Sequence, residues 1–109
     1  MAGADFENFL NALRESHPWL PRPLREHYAR VYGTRTKAIV KDARALSGLG
    51  RHFGGLLYEA EVRYLVAKEW AQTPDDILER RTKHYLHMSE AEKAAFATWF
   101  ESQRFSDAA

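Results

Sequence analysis

Apolar residues Phe6, Phe9, Leu10 and Leu13 recur at i, i+3, i+4 and i+7, the stripe of an amphipathic helix, with Asp5 placed to cap its start. The pattern breaks at "HPWLPRP". Pro18, Pro21 and Pro23 lack the amide N–H that a helix interior needs, so a turn is expected here, with Trp19 and Leu20 filling the core as the chain reverses. A second helix follows through "LREHYARVY" to Gly33, a residue suited to a left-handed C-terminal cap. Residues 36 to 46 read as a short third helix and "SGLGRHFGG" as a glycine-rich link. "LLYEAEVRYLVAKEWA" is expected to form the longest helix. Thr73-Pro74-Asp75-Asp76 then supplies a cap, a proline at the first helical position and acids in the first turn. "SEAEKAAFATWFESQ" repeats the device through Ser89 and Glu92 and lines one side with Phe96, Trp99, Phe100 and Gln103. With no stretch of period-two alternation and no internal repeat, the fold class is all-α: one helical domain over residues 1–109, a compact orthogonal bundle of five to six short helices.

Two charges fall awkwardly on this pattern. On a helical wheel Tyr58, Val62, Leu65 and Val66 share a face, and Glu69 lies within that stripe. In the following helix Ile77, Leu78 and Tyr85 define the inward face, with Arg81 between them and Arg80 directed away. An unpaired buried ion costs several kcal/mol. The economical expectation is therefore an interhelical Glu69–Arg81 ion pair that fixes register, leaving Arg80 for another partner.

The composition agrees with a folded domain: 109 residues, 45% hydrophobic and 28% charged. That is too apolar for disorder and too interrupted by charge to span a bilayer. The absence of cysteine excludes disulfides, thiolate nucleophiles and Cys-type zinc sites, and favours a reducing compartment. "MAGADFENFL" has neither the basic region nor the apolar run of a secretory or transit leader. The net charge of +1 conceals an asymmetry: residues 20 to 52 hold eight Lys/Arg against Glu26 and Asp42, while the remainder holds eight Lys/Arg against thirteen acids. Such a segment is either a solvated basic face or a surface for an anionic partner, be it nucleic acid, membrane or an acidic protein surface.

Motifs for independent chemistry are scarce. Gly48, Gly50 and Gly54 are spaced GxGxxxG with no preceding strand, which is not a dinucleotide loop, although Arg51 and nearby amides could face an anion. His84 and His87 have metal-compatible spacing but no evident third ligand, so exposed or capping histidines are expected. No serine lies in GxSxG and no EF-hand loop is present, so no catalytic, cofactor-binding or metal-ligating residue is assigned. A second reading, a free-standing nucleic-acid-binding helix-turn-helix, would use Arg22, Arg25, Arg30, Arg35 and Lys37 on phosphates. Their spread over loops and two helices gives no recognition helix, and no nucleic-acid partner is expected.

"HPWLPRPLREHYARVYGT", "LGRHFGGLLYEAEVRYLVAKEWAQTPDDILERRTK" and "SEAEKAAFATWF" together resemble the C-terminal helical domain of bacterial aerobic FAD-dependent glycerol-3-phosphate dehydrogenases over nearly the whole chain. The most specific elements are Leu57-Tyr58-Glu59-Ala60-Glu61, Tyr64-Leu65-Val66, Glu69-Trp70-Ala71 and Asp75-Asp76-Ile77-Leu78 leading into Arg80-Arg81-Thr82-Lys83. Glu79 stands where the family favours tryptophan and Tyr85 where it favours glycine. The resemblance implies a domain of a longer polypeptide that oxidises glycerol 3-phosphate to dihydroxyacetone phosphate and passes electrons through FAD to quinone. Flavin and substrate residues belong to the N-terminal part in that family, so this domain is expected to be inactive alone and to hold no cofactor. It would dock on the N-terminal FAD-binding domain of the same polypeptide through its basic middle, with Arg80, Arg51, Arg35 and Lys37 as candidate contacts, and would support the enzyme and a homodimer of it. The implied location is cytoplasmic, with the parent peripheral to the inner face of the membrane.

Overall fold

The computed structural model describes residues 4–40, 43–79 and 83–103. Its architecture is all-helical apart from one two-stranded hairpin. It comprises two compact units, Met1–Gly50 and Arg51–Ala109.

In the first unit, helix α1 spans Ala4–Ser16. It begins one residue before Asp5, so Asp5 lies in the first turn with Glu7 and is not the cap; both acids complement the exposed amides of the helix start. Leu10 and Leu13 pack with Ala29, and Phe6 and Phe9 shield them. The proline-rich turn closes through the Leu20 amide on the His17 carbonyl (3.0 Å). Leu20 is buried and Trp19 half-buried, edge-on to His17. Helix α2, Arg22–Tyr32, starts two residues ahead of the expected segment, because Pro23 falls in the first turn, where a missing amide breaks no helical hydrogen bond. Gly33 ends it at φ +55 with its amide on the Ala29 carbonyl. A 3-10 turn, Gly33–Arg35, leads into α3, Thr36–Val40, which buries Thr36, Ile39 and Val40. The expected continuation of this helix to Leu46 does not form: Ala43 is outside it, and Leu46–Leu49 makes a separate 3-10 turn that buries Leu49.

The second unit opens with the hairpin, β1 (His52–Gly54) and β2 (Leu57–Tyr58), with His52 opposite Tyr58 and Gly54 opposite Leu57. One extra residue in β1 bulges, which lets Phe53 and Gly54 both face inward. Strands of two and three residues are too short to show alternation, which is why the sequence pattern missed them. Because Leu57 and Tyr58 belong to β2, helix α4 is only Glu59–Lys68 and is not the longest; α1 and α6 have thirteen residues each. Arg51 and Glu59 exchange hydrogen bonds where the hairpin meets α4 (2.9 and 3.3 Å).

Helix α5, Pro74–Leu78, has the expected capping box: the Thr73 hydroxyl accepts from the Asp76 amide (3.2 Å) and the Asp76 carboxylate accepts from the Thr73 and Gln72 amides. A 3-10 turn over His84–His87 follows, and then α6, Glu90–Ser102, with Ser89 and Glu92 forming the second box. Phe53 packs on Phe96 and Trp99, ring centroids 4.9 and 4.6 Å apart, which joins the hairpin to α6. Ile77 and Leu78 are buried as expected, whereas Tyr85 and Gln103 are exposed. Tyr85 departs from the wheel because α5 stops at Leu78 and the helical phase is not carried forward to it.

Gly55 occupies the first of the two central turn positions at φ +52, where a Cβ would lie 2.7 Å from the His87 carbonyl oxygen. Gly55→Ala should therefore destabilise the protein by more than about 1 kcal/mol. Urea denaturation checks this, with Leu56→Ala as a same-turn comparison.

Candidate functional site

Helix α4 carries Tyr58, Glu61, Val62 and Leu65 at i, i+3, i+4 and i+7, counting Tyr58 as its N-cap, so a carboxylate sits in the middle of its inward stripe. Glu61 is 0% exposed, and it meets His84, 1% exposed, in the turn after α5. His84 Nε2 lies 2.9 Å from Glu61 Oε1. An ionised carboxylate there would accept from Nε2–H. This bond joins groups 23 residues apart and ties α4 to the segment after α5. His84 is thus neither exposed nor a cap, contrary to the sequence expectation, because Glu61 gives its ring a buried partner; His87 alone is exposed. Glu61 lay on the same wheel as Glu69 and was the legible signal for this pair.

The C-terminus of α4 is the second notable feature. Glu69 caps it, half-buried and engaged with a partner; Arg81, its expected counterpart, lies outside the described residues, as do Arg80 and Thr82. Next to it Trp70 has φ +62 and is 83% exposed. A left-handed backbone costs a bulky residue roughly 1–2 kcal/mol. It is fixed here by the Leu65 carbonyl, which accepts from both the Glu69 amide (3.0 Å) and the Ala71 amide (3.1 Å).

The candidate contact cations are distributed over both units. Arg35 and Lys37 are exposed in the first, Arg35 with an interaction of its own. Arg51 is exposed at the start of the second, its guanidinium 5.5 Å from the Phe53 ring centroid. Arg22 Nε donates to Glu26 at 2.8 Å. That hydrogen bond, and with it the charge of Arg22, holds the Glu26 carboxyl below its ordinary range against a smaller desolvation effect. Both groups face solvent, which screens the pair. Arg14, Arg22 and Arg25 share a cleft of about 410 Å³ with Glu7 and Glu26, so opposite charges interleave along α1 and α2. Gly48 lies in the 3-10 turn and Gly54 in β1, so the glycine run makes no strand–loop–helix cradle for a dinucleotide.

Residues 1–101 match the family model of the C-terminal domain of alpha-glycerophosphate oxidase. The chain belongs to this family. Among relatives of this alpha-glycerophosphate oxidase C-terminal domain, the D-erythritol 1-phosphate dehydrogenase of Brucella abortus (strain 2308) is 63% identical over 94% of the chain and 20% of its own length. The aerobic glycerol-3-phosphate dehydrogenase of Escherichia coli (strain K12) is 36% identical over 94% of the chain and 21% of its own length. A glycerol-3-phosphate dehydrogenase of Pseudomonas aeruginosa is 37% identical over 89% of the chain and 19% of its own length. The chain spans about one fifth of the length of these relatives. Both side chains of the Glu61–His84 pair are buried, 0% and 1% exposed.

Removing one member takes a buried hydrogen-bond partner from the other, so Glu61→Ala and His84→Ala should each destabilise by about 3 kcal/mol. The two losses should not add, and a double-mutant cycle from urea midpoints reads the coupling. Additive losses would show that the hydrogen bond contributes nothing beyond packing.

Proposed function

We propose that this chain is the C-terminal packing domain of an FAD-dependent dehydrogenase that oxidises a phosphorylated polyol. The observation that carries the reading is the match of residues 1–101 to a C-terminal oxidase domain, together with relatives whose names share a polyol phosphate substrate. In the parent, a secondary alcohol becomes a ketone, and the two electrons pass to the flavin and on to quinone. Glycerol 3-phosphate, giving dihydroxyacetone phosphate, is the three-carbon substrate of this class. The 63% identity to the Brucella enzyme, against 36% and 37% for the glycerol-3-phosphate enzymes, favours the four-carbon D-erythritol 1-phosphate.

The domain's own part is mechanical. Two capping boxes, the aromatic cluster and the Glu61–His84 bond make a firm helical unit. Its basic segment would meet an acidic surface of the flavin-binding part through Lys37, Arg35, Arg51 and Arg80, and would support a homodimer. The parent would act at the cytoplasmic face of the membrane as a peripheral protein; no helix among the described residues is long and apolar enough to cross a bilayer.

The test is expression of the intact protein that carries this domain, followed by reduction of an artificial electron acceptor with each polyol phosphate. Bound flavin and turnover with D-erythritol 1-phosphate exceeding that with glycerol 3-phosphate are expected, and none with this chain alone. The opposite preference would restore the three-carbon substrate. A flavin-free protein inert to both would overturn the reading.

A further inference from the structure

Trp70 is 83% exposed and holds a left-handed backbone at φ +62, and the closure of α4 that sets this φ makes no use of the indole. The closure of α4 uses only backbone: the Ala71 amide returns to the Leu65 carbonyl, and a glycine at position 70 would allow the same bond without strain. Strain kept at a residue that its own domain does not bury points to a use elsewhere. Tryptophan is the residue type most often found as a binding hot spot, since it buries a large area and carries one N–H donor.

We infer that Trp70 anchors this domain to the flavin-binding part of the same polypeptide, its indole entering an apolar pocket that supplies an acceptor for Nε1–H. This rests on the reading of the chain as the C-terminal part of a longer dehydrogenase. The occupant follows from length: the relatives are about five times as long as the chain, so the surface in constant reach of this domain is the rest of its own polypeptide. Position 70 is also held ready for docking. Glu69 before it caps α4, Ala71 after it is buried, and the Gln72 and Thr73 amides donate to the Asp76 carboxylate at 2.8 and 3.1 Å. The connector backbone is therefore fixed before contact, which lowers the ordering cost of association. The aromatic contact is independent of the basic segment, which lies earlier in the chain.

The experiment uses the intact parent protein with Trp70→Gly, Trp70→Ala and Trp70→Phe, read by hydrogen exchange across the α4–α5 connector and the flavin-binding part. A hot-spot contact predicts exchange about 30-fold faster at both surfaces in Trp70→Gly and Trp70→Ala, with Trp70→Phe retaining most protection. A purely local role predicts the opposite sign for Trp70→Gly, because glycine relieves the left-handed strain; unchanged or slower exchange in that variant overturns the inference. A benzophenone amino acid at position 70 identifies the occupant. Cross-links to the flavin-binding part of the same chain support the inference, and cross-links only to a second copy overturn it. Flavin content and polyol phosphate turnover of the unmodified parent are measured separately. Their absence would sink the proposed function, while exchange and cross-linking would still report whether Trp70 is covered.

Discussion

A carboxylate with no access to water is the constraint around which the second unit is arranged. Glu61 cannot be left buried without a polar partner, and a ring nitrogen of His84 lies 2.9 Å away. That bond is directional, so it sets both the rotation of α4 and the placement of the turn after α5. A slip of α4 by one residue would rotate it by about 100° and bring Ala60 or Val62 opposite the imidazole. Apolar packing of Val62, Leu65, Ile77 and Leu78 tolerates small shifts of that kind far better than a hydrogen bond does. The pair thus constrains the arrangement of the two segments through direction as well as through energy.

What was legible in the sequence divides along physical lines. Signals that act within one turn of chain were clear: Thr73 with Asp76, Ser89 with Glu92, the proline turn before α2 and Gly33 after it each produced the expected local geometry. Element lengths were less clear, because periodicity is continuous across a boundary that tertiary pairing imposes. Leu57 and Tyr58 fit the helical stripe of α4, yet they pair with β1. The same holds for Tyr85, whose position on the α5 wheel had meaning only if the helix passed Leu78. Of buried polar pairs, the wheel argument named Glu69 and Arg81, and Arg81 lies outside the described residues. The bond that the described residues display joins Glu61 and His84, on the same helix and the stretch beyond α5. Histidine was the hard partner to foresee, since its neutral form carries no charge conflict to flag it.

Charge follows a comparable division. The basic excess of residues 20 to 52 is a property of the sequence, but the structure decides how much of it is available. Arg22 is engaged by Glu26, and Arg25 donates to the Leu20 carbonyl at 3.1 Å, so two cations near the start of the segment are tied to this domain. Lys37 and Arg51 remain exposed on different units. Such interleaving argues against a continuous phosphate-tracking stripe, which would need several adjacent cations on one element. It suits protein docking better, where a few charges steer orientation and an apolar contact holds the complex.

The division of labour between Glu61 and Trp70 follows from where each meets water. A polar group inside must be satisfied inside, so Glu61 and His84 were bound to act within the domain. An apolar group outside has no such requirement; its cost persists until a surface covers it. The two lie nine residues apart in sequence, Glu61 within α4 and Trp70 just past its cap, so the rotation set by the buried bond also orients the helix end from which the chain turns at Trp70. Loosening the buried pair would therefore disturb the backbone that leads into Trp70 even without touching it.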